Sequence, residues 1–172
     1  MFPDFKDLLS VLNAHSVKYL VVGGQAVNRH AQPRATKDID ILIQPAPKNG
    51  AALFRALREF GAPIQNLSAA DFIEKGSFFT MGIPPVAIDI LPEIKGVEFA
   101  AAWKNRLTEI VDADTGLTAH FISRDDLIRA KLAAGRPQDL ADVEALRRAT
   151  DAAPQSPKPR TRRATKPRRD PA

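Results

Sequence analysis

At 172 residues, with a formal net charge of +5, 44% apolar residues and no cysteine, the chain suits one globular domain with an appended segment. It has enough apolar side chain to bury a core, and the lack of cysteine excludes disulfides and thiolate-held metals. No apolar run is long enough to span a membrane and the start, MFPDFKDLL, lacks a signal-peptide charge pattern, so a cytoplasmic protein without membrane contact is expected.

Residues 3–15 place Phe5, Leu8, Leu9 and Leu12 at helical spacing behind Pro3, which predicts a helix covering one face of a sheet; His15 at its end is expected on the surface. Tyr19 to Val22 reads as an apolar strand. Gly23-Gly24 then turns the chain into a short helix holding Gln25, Asn28, Arg29 and His30, which Pro33 is expected to end. A basic link from Arg34 to Lys37 leads into a second strand, DIDILI, over 38–43. Residues 47–60 form an amphipathic pattern through Leu53, Phe54, Leu57 and Phe60, stopped by Gly61.

Ser68 is expected to cap a short helix through Phe72 and Ile73. Two strands, SFFTMGI and VAIDIL, follow, joined around Pro84-Pro85. A short helix over 99–103 carries Trp103, expected to pack and not to stack on a base. Strands near 108–112 and 117–122 flank Asp114-Thr-Gly116. Ser123, with Asp126 three residues on, predicts a capped helix through Leu127, Ile128, Lys131 and Leu132 as far as Gly135. Pro137 opens a last helix through Leu140, Val143 and Leu146. Residues 151–172 carry seven Lys/Arg against two Asp, while the preceding 150 residues carry 18 of each sign. This proline-rich segment has too little apolar surface to offset its ordering, so a disordered basic tail is expected behind a domain over 1–150.

The chemistry lies in the acidic strands. Side chains on a strand alternate faces, which groups Asp38, Asp40 and Leu42 opposite Ile39, Ile41 and Ile43. Two carboxylates on so apolar a strand are costly unless a cation sits between them. Asp89, facing away from Ile88 and Ile90, poses the same problem. Three carboxylates about 4 Å apart would repel by roughly 4 kcal/mol per pair at an effective dielectric near 20. The sum of about 12 kcal/mol is comparable with the whole stability of a domain, about 5–15 kcal/mol.

Gly23-Gly24 brings main-chain N–H groups and a positive helix end close to a ligand, a setting that favours phosphate. Oxygen-only ligation beside phosphate favours Mg²⁺. Arg34, Thr36 and Lys37 could reach phosphate oxygens or stay as solvated loop charges. His30 as readily packs as catalyses, and three histidines are too few for zinc.

A diglycine after an apolar strand, a thirteen-residue spacer and Asp-x-Asp in an apolar run together resemble the nucleotidyltransferase superfamily with the DNA polymerase β-like fold. The segment Arg34-Ala-Thr-Lys-Asp-Ile-Asp looks like the stand-alone bacterial branch that includes AbiEii-type toxins. Residues 131–142, KLAAGRPQDLAD, resemble the Lys-x-x-x-x-Arg…Asp-Leu-x-Asp segment of that branch, and the resemblance covers most of residues 18–145. It implies an α+β fold: a mixed sheet flanked by helices, with a helical carboxyl-terminal extension.

The implied reaction moves a nucleoside monophosphate from an NTP to a hydroxyl on RNA, protein or a small molecule. It releases pyrophosphate and uses two Mg²⁺ ions. In that reading Asp38 and Asp40 hold the metals that grip the NTP. Asp89 completes the second metal site and takes the hydroxyl proton. Gly23 and Gly24 cradle phosphate, and Lys131 contacts it with Arg136 and Asp139 in support. Asp142 shares a helix face with Asp139. An antitoxin protein is an implied partner. Two other readings stand beside this one: a nucleotide-binding module without turnover, and a nucleic-acid-associated accessory protein acting through its basic tail.

Overall fold

The computed structural model describes residues 2–82 and 86–151. Its elements run α1 (Pro3–Ala14), β1 (Tyr19–Val22), α2 (Gly23–His30), β2 (Ile39–Ile43), α3 (Pro47–Phe60), a 3₁₀ turn (Asp71–Ile73), β3 (Phe79–Met81) and β4 (Ile88–Leu91). There follow α4 (Phe99–Asn105), β5 (Leu107–Asp112), β6 (Leu117–Phe121), α5 (Arg124–Ala134) and α6 (Pro137–Asp151). The strands form one sheet in the order β3-β4-β2-β1-β6-β5. β2 runs parallel to β4 and β1 parallel to β6, while the β1–β2, β3–β4 and β5–β6 pairs are antiparallel. This is a mixed sheet in an α+β protein, as the sequence leads one to expect.

Alternation along the strands divides the core into two layers. Tyr19, Val21, Ile39, Ile41, Ile43, Ile88 and Ile90 face α1 and α3, meeting Phe5, Leu8, Leu9, Leu12, Leu53 and Leu57. Leu20, Val22, Leu42 and Ile122 face the other way, onto Ala26, Val27, Phe99, Leu127 and Leu146. Asp40 and Asp89 belong by register to this second face, beneath α2 and α5. The first layer is the apolar block that gives the acidic strands a fixed platform. Among the described residues no helix is long and apolar enough to cross a membrane.

Several expectations change in detail. The diglycine is the first turn of α2 and not a turn ahead of it, and α2 ends at His30, three residues before Pro33. The strand expected over 77–83 pairs only through Phe79–Met81, and Pro84-Pro85 lies outside the described residues, as does the tail from 152 onward. Ser68 does not cap the following turn: its N–H and hydroxyl both donate to Asp71 Oδ2, at 2.6 and 2.7 Å, so the carboxylate is the acceptor. Gly61 ends α3 in the left-handed region (φ 83°), and Ser123 caps α5 by accepting from Asp126 N–H. Asp126 answers by accepting from the Ser123 hydroxyl at 2.6 Å, not from its backbone. Trp103 packs, stacked on Phe99 with the Arg106 guanidinium 3.8 Å from its ring centre.

The sequence reading missed Asn49. It is buried at the start of α3, where its side chain accepts from Lys18 N–H at 2.8 Å and donates to the carbonyls of Lys18 and Gln44, both at 3.0 Å. It thereby joins the entry of β1 to the exit of β2, at the end of the strands away from the aspartates. Asn49→Ala would strip Lys18 N–H of its acceptor, while the Lys18 and Gln44 carbonyls would each keep one backbone donor, Gln44 N–H and Ala46 N–H. A loss of about 1–3 kcal/mol is expected in urea unfolding; an unchanged midpoint would show that water replaces the amide without cost.

Candidate active site

The site is built where β1 runs out into α2. Antiparallel register sets Asp40 opposite Val22, the last residue of β1, and parallel register sets it beside Asp89 on β4. Residues in register on neighbouring strands point to the same face, so the two carboxylates are neighbours by construction. Gly23 adopts φ +61°, and a Cβ there would collide with the Asp40 carboxylate. Glycine is needed twice over: for the left-handed backbone and for room beside Asp40. A Cβ on Gly24 would lie 2.5 Å from Thr36 Oγ1 and 3.6 Å from an Arg34 guanidinium nitrogen, so the link before the aspartates lies directly on the diglycine.

Asp38 stands differently. It is exposed, just ahead of β2, with Oδ1 accepting from Ala87 N–H at 3.1 Å. Period-two alternation therefore does not fix its direction. Asp89 Oδ1 accepts from the Thr80 hydroxyl at 2.6 Å. Burial pushes the Asp40 carboxyl above the usual carboxylate range, and the charges of Asp89 and Asp38 push it further, with Lys131 and Arg136 pulling the other way. All three aspartates thus act electrostatically on one point. Among the described residues, however, no three carboxylate or imidazole side chains are gathered closely enough to hold a metal ion.

The cationic side comes from the carboxyl-terminal helices. Lys131 on α5 is buried, with its ammonium 3.0 Å from Asp139 Oδ1 and 2.8 Å from Asp142 Oδ2. Arg136 pairs with Asp139 at 2.6 Å. Arg34 does not extend freely towards a ligand: its guanidinium forms a two-pronged pair with Asp142 at 2.7 and 2.9 Å. The Asn28 side chain holds the Arg34 backbone from both sides, accepting its N–H at 2.9 Å and donating to its carbonyl at 2.8 Å. Burial alone would raise the Asp142 carboxyl. Hydrogen bonds from Arg34, Lys131 and Gln138 prevail and hold it at about 2. Asp139 is likewise lowered against its burial, by Arg136 and Lys131.

Of the other candidates, Lys37 is exposed, and His30 is occupied in packing, its Nε2 2.8 Å from the Ile122 carbonyl. Gly23, Asp40, Lys131, Arg136 and Asp139 line one cleft of about 190 Å³, whose far side is apolar. Arg34, Thr36, Asp38 and Asp89 are not among its lining residues. The Arg34–Asp142 pair and the apolar side of the cleft were not foreseen. Asp142 carried a faint signal in its three-residue spacing from Asp139, but nothing in the sequence links it to Arg34. Asp40 and Asp89, in register on neighbouring strands, are oxygen donors of the kind a hard divalent cation takes. Asp38 stands apart just ahead of β2, so the described residues offer a pair of carboxylates and not a closed three-carboxylate cage.

Fold and site define a mixed α+β protein whose cleft sets the Asp40 carboxylate against a buried lysine ammonium and an exposed arginine at a glycine-opened helix. A family model described as nucleotidyltransferase of unknown function (DUF6036) matches residues 3–151, and the chain belongs to that family. The match runs from α1 to the end of α6 and contains every candidate residue named above. No curated protein matches the chain.

The closeness of Gly23 to Asp40 is open to test. Gly23→Ala should cost about 1–2 kcal/mol for the left-handed backbone alone, and more while Asp40 is in place. In an Asp40→Ala background the added cost should shrink by at least about 0.5 kcal/mol in a double-mutant cycle. Strict additivity of the two changes in chemical unfolding would mean that the side chains do not meet.

Proposed function

We propose that this protein transfers a nucleoside monophosphate from an NTP to a hydroxyl group, on a polymerase β-like core. The observation that carries the reading is the Asp40–Asp89 register beside Gly23, faced by Lys131 and Arg136 across the cleft. Asp40, with Asp38 and Asp89, would hold Mg²⁺. When bound, the ions supply charge neutralisation at the α-phosphorus and at the departing pyrophosphate. The chain's own groups do the rest. Gly23 and Gly24 let phosphate approach the amino end of α2, where the helix dipole favours an anion. Lys131, fixed by Asp139 and Asp142, and Arg136 face the triphosphate.

The acceptor oxygen attacks the α-phosphorus, the bond to the β,γ-diphosphate breaks, and Asp89 takes the proton lost by the hydroxyl. Arg34 acts through Asp142 and does not itself grip phosphate. The acceptor is a hydroxyl of RNA, protein or a small molecule. An AbiEii-like toxin neutralised by an antitoxin is the biological setting that the motif spacing supports.

The test is incubation of the full chain with Mg²⁺, labelled NTPs and a cellular RNA, protein or metabolite pool. Label transfer with equimolar pyrophosphate is expected. Asp40→Asn and Asp89→Asn should each lower the rate by about 10²-fold or more. Both variants should stay folded, with melting temperatures unchanged or raised in metal-free buffer, because each removes a like charge. Full turnover in either variant would refute the assignment. NTP binding without transfer to any pool would favour a binding module without turnover.

A further inference from the structure

The cleft has two unlike sides, and only one is absorbed by the chemistry above. Its charged groups stand at the end formed by Gly23, Asp40 and the α5–α6 junction. Away from them the lining is apolar: Leu91 at the end of β4, Ile94 just after it, and Leu127 and Ala130 on the turns of α5 that precede Lys131. Positions 127, 130, 131 and 134 fall at i, i+3, i+4 and i+7, so they share one face of the helix, on which Leu127 and Ala130 come before Lys131 and Ala134 follows it towards the charged end. A second element holds this wall in place. Ile94 and Val97 close a one-bridge hairpin around Gly96, which adopts φ +76°. A Cβ on Gly96 would lie 2.8 Å from the Ala133 Cβ and 3.1 Å from the Arg129 carbonyl, so the hairpin is pressed onto α5. Ile94 is therefore fixed beside α5 and cannot swing like a loose loop residue.

Resting on the NTP reading given above, we infer that this apolar wall receives the nucleobase by its faces, so that the site takes purine and pyrimidine nucleoside triphosphates alike. With the triphosphate at the charged end, the remainder of the nucleotide meets aliphatic side chains. Every base has a flat apolar face to present to them, whereas identity is written on its hydrogen-bonding edge. A site that selects one base needs donors and acceptors fixed against that edge. Selection then reaches about 10⁴–10⁵, because a wrong partner leaves buried polar groups unpaired. Among the residues lining the apolar end, the one polar side chain is Lys95, and it is exposed. An ammonium on a flexible stem only donates, and all four bases offer acceptors on their edges, so Lys95 strengthens binding without sorting them.

The experiment is isothermal titration of the full-length protein in magnesium buffer with ATP, GTP, CTP and UTP, and with inorganic tripolyphosphate. Dissociation constants for the four NTPs should agree within about fivefold, far inside the range of a base-reading site. Ile94 is half-buried just after β4, on a different element from Lys131 and Arg136, so Ile94→Ala trims the apolar lining without touching the groups assigned to the triphosphate. This variant should weaken all four NTPs by about tenfold or more, roughly 1.4 kcal/mol, and leave tripolyphosphate unchanged. One NTP bound about 50-fold more tightly than the others would overturn the inference while leaving the triphosphate site intact. So would Ile94→Ala leaving the NTPs unaffected, or weakening tripolyphosphate equally. Failure of both NTPs and tripolyphosphate to bind would overturn this inference together with the transferase reading on which it rests.

Discussion

One repulsion organises this protein: the Asp40 carboxylate is held beside Asp89 by strand register, on the half-buried face of an otherwise apolar sheet. Neither residue can escape by a small backbone shift. Sliding β2 by one position would send Ile39, Ile41 and Ile43 out of the core and the aspartates into it. Those isoleucines are fully buried against α1 and α3, so the apolar layer on one face fixes the charged pair on the other. Gly23, lacking a Cβ, leaves the Asp40 carboxylate the room it occupies. The cost is concentrated on Asp40, whose carboxyl is held above the usual carboxylate range. Thr80 and Ala87 N–H instead satisfy one oxygen each on Asp89 and Asp38.

The answering charges arrive from far along the chain. Asp139 and Asp142, three residues apart on one face of α6, hold Lys131 between them, and Asp142 also holds Arg34. Removing one member of such a buried network typically costs about 3–5 kcal/mol, because its partners are left charged and unpaired. The network does more than stabilise. It ties the link that precedes the aspartates, the helix carrying Lys131 and the last helix into one unit, so the cation facing Asp40 has a fixed address. Leu127 and Ala130 precede Lys131 on one face of α5, and the same helix therefore serves both ends of the cleft.

Much of this was legible in the sequence, and the reasons are physical. Period-two alternation predicted which residues of β2 and β4 face the first core layer, because a half-buried strand admits few other solutions. Helices α1, α3 and α5 were signalled by apolar spacing together with Pro3, Gly61, Ser123 and Gly135. Local rules stopped where long-range pairing began. Arg34 looked like a free cation beside a phosphate site, yet its partner lies 108 positions away on α6. Asn49 looked like an ordinary residue of a helix start, and only the meeting of β1 and β2 gives it three partners. Asp38 was placed on the strand by counting twos, but β2 begins one residue later. The capping at Ser68 was assigned to the wrong partner because serine and aspartate can each serve a short turn.

The most direct test of the central claim is the titration of the Asp40 carboxyl itself, followed by carbon NMR in metal-free protein and again with magnesium. Without metal it should take up its proton at a higher pH than an ordinary aspartate, because burial and two neighbouring carboxylates oppose its charge. Magnesium should move the titration downward. A metal-free Asp40 that ionises at or below the ordinary aspartate value, and does not respond to magnesium, would contradict the account.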